Sequence, residues 1–196
     1  MTGAFTYTPN ANVFGSDSFT FAANDGLLNS NTATISITIS SVNDPPQLTA
    51  FVPLSGGLEN HDTTITYAAL TSAGNEFDVE GDAISFRIET VVSGTLLKNG
   101  AAVVPGVTRI AAGESLVWSP PRNTHGALGV AYVRAWDGQT ASETSVLLQV
   151  NVAATTAPTA HDGAVTTPED TPVSGFLTAT DPDGDPLKFD LVTAPD

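Results

Sequence analysis

Two short acidic stretches carry the most distinctive chemistry of this sequence. Residues 78–82 read Asp-Val-Glu-Gly-Asp, and residues 181–185 read Asp-Pro-Asp-Gly-Asp. In each stretch three carboxylates occupy alternate positions, and they repel one another at neutral pH unless a positive charge lies among them. Calcium takes about six to eight oxygen ligands, and the glycine lets the backbone bend around the ion. The spacing therefore predicts two Ca²⁺ sites, formed by Asp78, Glu80 and Asp82 and by Asp181, Asp183 and Asp185.

An EF-hand loop is the competing calcium interpretation of these stretches. That loop needs glycine at its sixth position. Counting from Asp78 or from Asp181, the sixth residue is Ala83 or Pro186. The flanking segments also have the pattern of strands rather than helices, so the EF-hand is rejected. The alternative that stays open is a pair of solvated acidic turns without metal, because Asp and Gly are frequent in turns.

Other chemistries have little support in the sequence. The chain has no cysteine, which excludes thiolate metal sites, and its 3 histidines are far apart. It contains no Gly-x-Ser-x-Gly nucleophile elbow, no phosphate-binding glycine-rich loop and no His-Glu-x-x-His pair. The carboxylate motif is repeated along the chain rather than gathered once in a cleft. We therefore predict a protein that is not an enzyme.

The charge balance excludes several partners. The chain has 21 acidic residues against 6 lysines and arginines, for a formal net charge of −15. DNA, RNA and anionic lipid surfaces carry the same sign, so no nucleic-acid partner is expected. No stretch approaches the roughly 18 apolar residues that a membrane-spanning helix needs, and no cleavable signal follows Met1. We therefore expect no direct membrane insertion.

Short runs of alternating apolar and polar residues dominate the chain, which is the pattern of half-buried strands. A central set of about seven strands is what an immunoglobulin-like sandwich of roughly 100 residues needs. Asn99-Gly100 predicts a tight hairpin turn within that set. The predicted strands cover residues 4–8, 18–22, 34–39, 63–67, 84–88, 115–119, 130–136 and 145–150. The fold class is therefore predicted to be all-β.

An internal repeat divides the chain. Tyr7-Thr8-Pro9 matches Trp118-Ser119-Pro120, and Ala-Asn-Asp-Gly from Ala23 matches Ala-Trp-Asp-Gly from Ala135, at offsets of 111 and 112 residues. The two acidic stretches are offset by 103 residues. The proline pair at 45–46 marks a linker, because proline removes backbone donors and holds the chain extended. The sequence thus predicts half a domain at 1–46, a complete one at 47–157 and a further half at 158–196.

These motifs resemble the bacterial cadherin-like and immunoglobulin-like tandem repeats of large extracellular surface proteins. The resemblance spans the whole chain and implies tandem Greek-key β-sandwiches, an extracellular or bacterial cell-surface location, and calcium that stiffens the joints between sandwiches. The matching motifs are Gly-x-Phe-x-Tyr-x-Pro from Gly3, Gly-x-Asp-x-Phe from Gly15, Ala-x-Asp-Gly from Ala23, Val-Asn-Asp-x-Pro from Val42, and Glu-Asp followed by Asp-x-Asp-Gly-Asp from Glu169.

The resemblance also implies which residues hold calcium at the first joint. They are Asn43 and Asp44 of the linker, the acidic loop 78–82, and Asp137 in the last hairpin turn. Glu59, early in the central domain, is implied as a further oxygen ligand. Greek-key connections place the acidic loop and the hairpin turn at the end where the linker enters. These groups are therefore expected to converge.

The second joint departs from the pattern. Glu169 and the acidic loop 181–185 are present, but Thr155-Thr156 stand where the first joint has Asn43-Asp44. The linker ligands are lost, so the resemblance implies a weaker calcium site there. A joint without them is expected to be more flexible.

The half domains raise the question of what completes them. A half sandwich exposes an apolar face and an unpaired sheet edge. In one hypothesis, chains associate head to tail and Asp25 joins Asp181, Asp183 and Asp185 in a shared site. In the other, the sequence is one window of a longer covalent array whose neighbouring repeats complete each half. In both, the partners are neighbouring copies of the same repeat.

The sequence thus predicts a non-enzymatic, calcium-stiffened structural repeat of a bacterial stalk, adhesin or filament. Its cell-surface or glycan target, if it is an adhesin, is not specified by the residues. The alternative is a carbohydrate- or ligand-binding module of a secreted protein, which needs an exposed row of aromatic residues. Trp118 is predicted to lie in the core, and Trp136 is left open between core and surface. The histidines are predicted to be ordinary surface residues.

Overall fold

The structure, a computed structural model, describes residues 3–182 and 184–193. The prediction of an all-β protein is confirmed, since the described residues form strands with one short helix, α1 (Tyr67–Ala73). The strands are β1 (Gly15–Phe21), β2 (Ala33–Ile39), β3 (Leu54–Leu58), β4 (Thr63–Thr66), β5 (Ser85–Val91), β6 (Thr95–Lys98), β7 (Ala101–Ala102), β8 (Arg109–Ile110), β9 (Ser115–Ser119), β10 (Gly126–Trp136), β11 (Val146–Ala153), β12 (Thr159–His161) and β13 (Thr178–Thr180).

The central part of the chain is a sandwich of two sheets. One sheet has the strand order β3-β11-β10-β5-β8, and the other has the order β4-β9-β6-β7. All neighbours are antiparallel except β3, which runs parallel to β11. The turn between β6 and β7 has positive φ at Asn99 (52°) and Gly100 (78°), which a tight type I′ hairpin turn requires. Strands that follow one another along the chain mostly lie in different sheets, as in an immunoglobulin-like sandwich.

The core lies between the two sheets because alternate residues of each strand point inward. On β5 Phe86 and Ile88 have no exposed surface, and on β9 the same holds for Leu116 and Trp118. The Trp118 indole Nε1 donates a hydrogen bond to the Ser93 carbonyl at 2.9 Å, so its polar atom is satisfied inside the core. The prediction that Trp118 is a core residue is confirmed.

The helix α1 was not predicted from the sequence. Thr66 caps it, because its Oγ1 accepts a hydrogen bond from the Ala69 N–H at 3.0 Å. Leu70 is fully buried, and the Tyr67 hydroxyl donates to the Ile84 carbonyl at 2.8 Å. Seven residues are too few to show a helical repeat of apolar positions. The alternation of 63–67 therefore predicts a strand that includes Tyr67, whereas β4 ends at Thr66 and Tyr67 begins the helix.

The two end segments carry small sheets. β1 pairs with β2 from Gly15 to Phe21, and β12 pairs with β13 over three residues. Residues 4–8, predicted as a strand, form none in the described structure, because no neighbouring strand offers them a hydrogen-bonded ladder. Phe5 packs edge-on against Phe19 instead, with ring centres 4.9 Å apart. Both segments leave large apolar side chains in solvent, such as Leu27 at 90% and Phe176 at 99% exposure.

The internal repeat predicted from the sequence is also present in the backbone. Left-handed φ angles occur at matching positions, at offsets of 110 to 112 and of 103 residues, which equal or differ by one residue from the offsets of the sequence motifs. The pairs are Asn12 (61°) with Asn123 (57°), Gly15 (110°) with Gly126 (92°), Gly26 (98°) with Gly138 (105°), Asn60 (61°) with Asp170 (60°), and Gly81 with Gly184 (79° in both). The repeated residues thus build repeated turns.

The last hairpin turn of each repeat has the same hydrogen bonds in both copies. The Ser142 N–H donates to the Ala135 carbonyl at 2.9 Å, and the Ala135 N–H donates to Ser142 Oγ at 3.1 Å. In the first copy Ser30 and Ala23 make the same two bonds, each at 2.8 Å. This turn positions Asp25 in one copy and Asp137 in the other.

Candidate functional site

The first linker is tied to two loops of the central sandwich. The backbones of Gln47 and Phe77 exchange two hydrogen bonds, at 2.7 and 3.0 Å, which brings the linker beside the start of the acidic loop. The Asp44 N–H donates to Glu80 Oε2 at 3.0 Å. Asn43 Nδ2 donates to Asp137 Oδ2 at 2.9 Å. The linker, the acidic loop and the last hairpin turn therefore meet at one end of the sandwich.

Four polar residues on the hairpin side of this joint form a closed hydrogen-bond network, which we call the latch: Asn43, Asp137, Gln139 and Thr140. Asp137 Oδ1 accepts from the backbone N–H groups of Gln139 and Thr140, both at 2.6 Å. Its Oδ2 accepts from Asn43 and from the Thr140 hydroxyl, each at 2.9 Å. Gln139 Nε2 donates to Asn43 Oδ1 at 2.7 Å. Both oxygens of Asp137 are thus satisfied by protein donors.

The latch stabilises the ionised form of Asp137. Only 8% of this residue is exposed. Burial raises the pKa of Asp137, but the hydrogen bonds from Thr140, Asn43 and Gln139 outweigh it and lower the pKa from 3.8 to about 2. The carboxylate is therefore charged at neutral pH, and its hydrogen bond from Asn43 ties the linker to the turn.

The acidic loop on the other side of the joint is less well satisfied. Asp78 is 7% exposed, and its Oδ1 accepts from the backbone N–H groups of Glu80 at 3.0 Å and Asp82 at 2.9 Å. Its Oδ2 is buried with no hydrogen-bond partner among the described residues. Gly81 has a φ of 79°, which allows the loop to fold over Asp78. A buried oxygen without a donor favours a cation, since leaving it unpaired is unfavourable.

The residues at the joint have the chemistry that calcium prefers, but their side chains are not arranged as a formed site. Asp78, Glu80 and Asp82 offer carboxylate oxygens, the ligands that a hard cation prefers. Within the part of the chain that the structure describes, however, no three acidic or histidine side chains already form a cluster that could hold a metal ion. Among the described residues, Asp78 has an unsatisfied oxygen for a cation, whereas Asp137 already accepts a hydrogen bond from Asn43.

Glu59 does not lie with these residues, and its placement at the first joint was wrong. Its N–H donates to the Ala153 carbonyl at 2.9 Å, at the end of β11. The turn that holds Asp137 precedes β11, and eight strand residues span about 26 Å. Because β3 runs parallel to β11, it carries Glu59 away from the first linker. The Glu59 carboxylate instead accepts from the Thr155 N–H at 3.4 Å in the second linker.

The second acidic loop repeats the geometry of the first. Asp181 Oδ1 accepts from the Asp185 N–H at 3.1 Å, as Asp78 Oδ1 does from Asp82. Asp183 lies outside the described residues. The Asp185 carboxylate is 4.0 Å from His61 Nε2, so this loop lies against the far end of the central sandwich.

Two further predicted ligands stay apart from both loops. Asp25 Oδ1 accepts from the backbone N–H groups of Leu27 at 2.9 Å and Leu28 at 2.8 Å, which fixes its own turn. Those hydrogen bonds lower the pKa of Asp25. Glu169 is exposed in a turn, where its carbonyl accepts from the Thr171 hydroxyl at 3.4 Å. The structure therefore gives each a local role.

The sequence interpretation missed some residues at these joints. His125 Nδ1 lies 3.5 Å from Glu59 Oε2, so His61 and His125 both contact carboxylates of the second joint rather than standing alone on the surface. No repeated spacing signals them. Glu76 has a buried Oε2 with no partner among the described residues, and burial raises its pKa. Its short distance in sequence from Asp78 was the available signal.

Comparisons with known proteins agree with an immunoglobulin-like repeat. A family model described as Bacterial Ig domain matches residues 1–38, which include β1 and most of β2. The chain is also similar to Integrin beta-like protein C of Dictyostelium discoideum, with 32% identity over 122 residues. That match covers 61% of this chain and 6% of the relative's length. No described helix has the length and apolar character needed to cross a membrane.

Proposed function

We propose that this chain is a non-enzymatic structural segment of a bacterial extracellular protein, built from cadherin-like repeats whose first joint is stiffened by calcium. The observation that carries the proposal is the joint itself. The linker bonds to the acidic loop through Asp44 and Glu80 and to the hairpin turn through Asn43 and Asp137. Segments on either side of a linker move independently unless such contacts hold them. A chain built to hold this joint is suited to a stalk, an adhesin or a filament.

Calcium would supply positive charge and oxygen coordination at the acidic loop. Asp78, Glu80 and Asp82 would hold it, because Asp78 Oδ2 is a buried carboxylate oxygen without a hydrogen-bond donor among the described residues. The Asp44 N–H already holds one oxygen of Glu80, so the linker backbone fixes the orientation of that side chain. The latch would keep the linker in place beside the loop. The net charge of −15 favours binding of a cation over release.

The end segments support the second part of the proposal, completion by neighbouring repeats. β1 and β2 form a sheet without a facing sheet among the described residues, and β12 with β13 does the same. Each segment leaves apolar residues in solvent that a sandwich would bury, including Phe21 and Leu28 in the first and Phe176 and Leu177 in the last. A neighbouring copy of the repeat supplies the missing strands in each case.

Thermal unfolding with calcium and with chelator tests the calcium claim. At a calcium concentration of 100 times Kd the ion adds about 2.7 kcal/mol to the free energy of unfolding, so the melting temperature rises by several degrees. Asp78→Asn removes this increase, because the amide replaces one ligand oxygen with a nitrogen that cannot coordinate calcium and removes a negative charge. Glu143→Gln, an exposed carboxylate outside both acidic loops, is the control and keeps the increase. An unchanged midpoint of the native protein in millimolar calcium refutes the calcium site.

The assembly claim needs a separate measurement. Light scattering across a concentration series reports whether separate chains complete one another. A mass that rises with concentration supports head-to-tail completion between chains. A strict monomer in which the amides of β1 and β2 are strongly protected from hydrogen exchange contradicts it, because those strands would then be stable without a neighbour.

A further inference from the structure

Three arginines form a row across the outer face of the five-stranded sheet. Arg134 on β10 lies directly opposite Arg87 on β5, and Arg87 lies directly opposite Arg109 on β8. The chain has 6 lysines and arginines in all, so half of its basic residues are in this row. Their neighbours in sequence, such as Ile88, Val133 and Ile110, have no exposed surface, so the row faces away from the core.

This arrangement is unfavourable unless an anion neutralises it. Side chains directly opposite on antiparallel strands have Cβ atoms about 4.5 to 5.5 Å apart, and like charges in such pairs destabilise a sheet. One carboxylate offsets the row in the described structure, since Arg87 Nε donates to Glu89 Oε1 at 2.6 Å. Arg109 is exposed. Arg134 Nη1 donates to the Ser142 carbonyl at 3.0 Å, and its Nε is buried without an acceptor among the described residues. The row therefore keeps an excess of positive charge.

Two aromatic residues lie on the same face. Trp136 lies under two of the arginines, with its ring centre 5.0 Å from Arg87 Cζ and 4.1 Å from Arg109 Cζ. Cation–π contacts of this kind hold guanidinium groups in fixed positions. Tyr132 is 42% exposed and precedes Arg134 by two residues on the same strand face. The surface of Tyr132, Arg134, Trp136, Arg87 and Arg109 is called the arginine face.

We infer that the arginine face binds a sugar that carries a single carboxylate, such as a uronic acid residue. A guanidinium group pairs with a carboxylate through two parallel hydrogen bonds, and the exposed ring of Tyr132 offers an apolar face to a sugar ring. The net charge of −15 repels long polyanions at a distance, whereas a singly charged ligand experiences mainly the local arginines. This site lies outside the joint and does not depend on calcium.

Titration of the full chain with galacturonate, followed by amide NMR shifts in a buffer with EDTA, tests the inference. Galactose is the neutral matched probe. We expect saturable shifts on β5, β8 and β10 with galacturonate and none with galactose. Salt at 150 mM weakens the binding, because a Debye length of about 8 Å screens the exposed charges. Absence of saturable binding to the native chain, or equal binding of the neutral sugar, overturns the inference.

Variants locate the site. Arg87→Gln combined with Arg109→Gln is expected to weaken binding at least tenfold, whereas Arg122→Gln, an exposed arginine outside the face, leaves it unchanged. An equal loss in both variants refutes the assignment. Circular dichroism checks folding, and Arg109→Gln alone, on an exposed edge strand of two residues, gives a milder variant that still weakens binding. If the mass of the native chain rises with concentration and the double variant abolishes that rise, the arginine face binds acidic residues of another copy. That result overturns the inference of a sugar ligand.

Discussion

Replacement of Asp137 by Asn removes a charge on which the latch depends. The native carboxylate accepts four hydrogen bonds, two of them from backbone N–H groups of its own turn. Asparagine keeps one acceptor oxygen for Gln139 and Thr140 but presents an amide nitrogen where Oδ2 was. That nitrogen faces Asn43 Nδ2, so the bond from the linker is lost unless the amides turn over. The variant therefore separates the turn from the linker with little change of volume.

The magnitude follows from the pKa of Asp137. Hydrogen bonds lower that pKa from 3.8 to about 2, so the ionised latch stabilises the fold above pH 3.8 and this stabilisation is lost as the pH falls towards 2. One pKa unit corresponds to about 1.4 kcal/mol, so the interval sets a ceiling of about 2.5 kcal/mol. Screening by solvent at the rim of the joint reduces the expected contribution to about 1 to 2 kcal/mol.

Urea unfolding at a series of pH values measures this contribution. Tryptophan fluorescence reports the central sandwich alone, because Trp118 and Trp136 are the two tryptophans of the chain. Between pH 4 and pH 2 the native protein is expected to lose about 1 to 2 kcal/mol more stability than Asp137→Asn. Asp25→Asn, in the copy of the turn outside that sandwich, keeps the native pH dependence. If Asp137→Asn shows the same acid-induced loss as the native protein, the latch does not hold Asp137 in the way described.

Two further substitutions test other buried polar groups. Ser142→Ala leaves the Ala135 N–H without its side-chain acceptor and is expected to lower the free energy of unfolding by about 1 to 3 kcal/mol. Ser30→Ala, the same change in the exposed copy of the turn, is expected to change it by about 0.5 kcal/mol or less. Equal effects of the two substitutions in urea titrations contradict this prediction. Burial raises the pKa of Glu76, so its charged form destabilises the fold as the pH rises through the unfolded value of 4.5. Glu76→Gln is therefore expected to stabilise the protein at pH 7 relative to pH 4 in the same titrations, with the exposed Glu143→Gln as control, and a pH-independent effect refutes the assignment.

Alternating patterns in the sequence correctly predicted strands such as β9, which pair with neighbouring strands in a sheet. Alternation at 115–119 predicted β9 with its observed bounds, because Leu116 and Trp118 are buried on one face and the residues on the other face are half-buried. Alternation at 4–8 predicted a strand that is absent from the described structure, since a strand also needs a neighbour and the sequence does not show one. Alternation likewise failed at Tyr67, where the cap from Thr66 and the burial of Leu70 favour a helix.

Site residues were predictable where they lie in a loop that the repeat contains twice. They were not predictable where their position depends on the direction in which a strand runs. The offset of 103 residues identified the acidic loops, and both loops use the first aspartate to accept from the residue four positions later. Glu59 required knowledge that β3 runs parallel to β11, which no local pattern encodes. The contacts of His61 and His125 depend on how the second linker crosses the sandwich end, and the repeat carries no information about them.

The two copies of the hairpin turn separate what is local at the joint from what the linker adds. Asp25 and Asp137 each use Oδ1 to accept from the backbone N–H groups two and three residues later, so the turn is encoded by its own residues. Those local bonds lower the pKa in both copies. Asp137 additionally accepts from Asn43, so its second oxygen ties the turn to the linker. A repeated turn thus becomes a joint where a linker supplies a donor, and the strength of that joint depends on the residue at position 43.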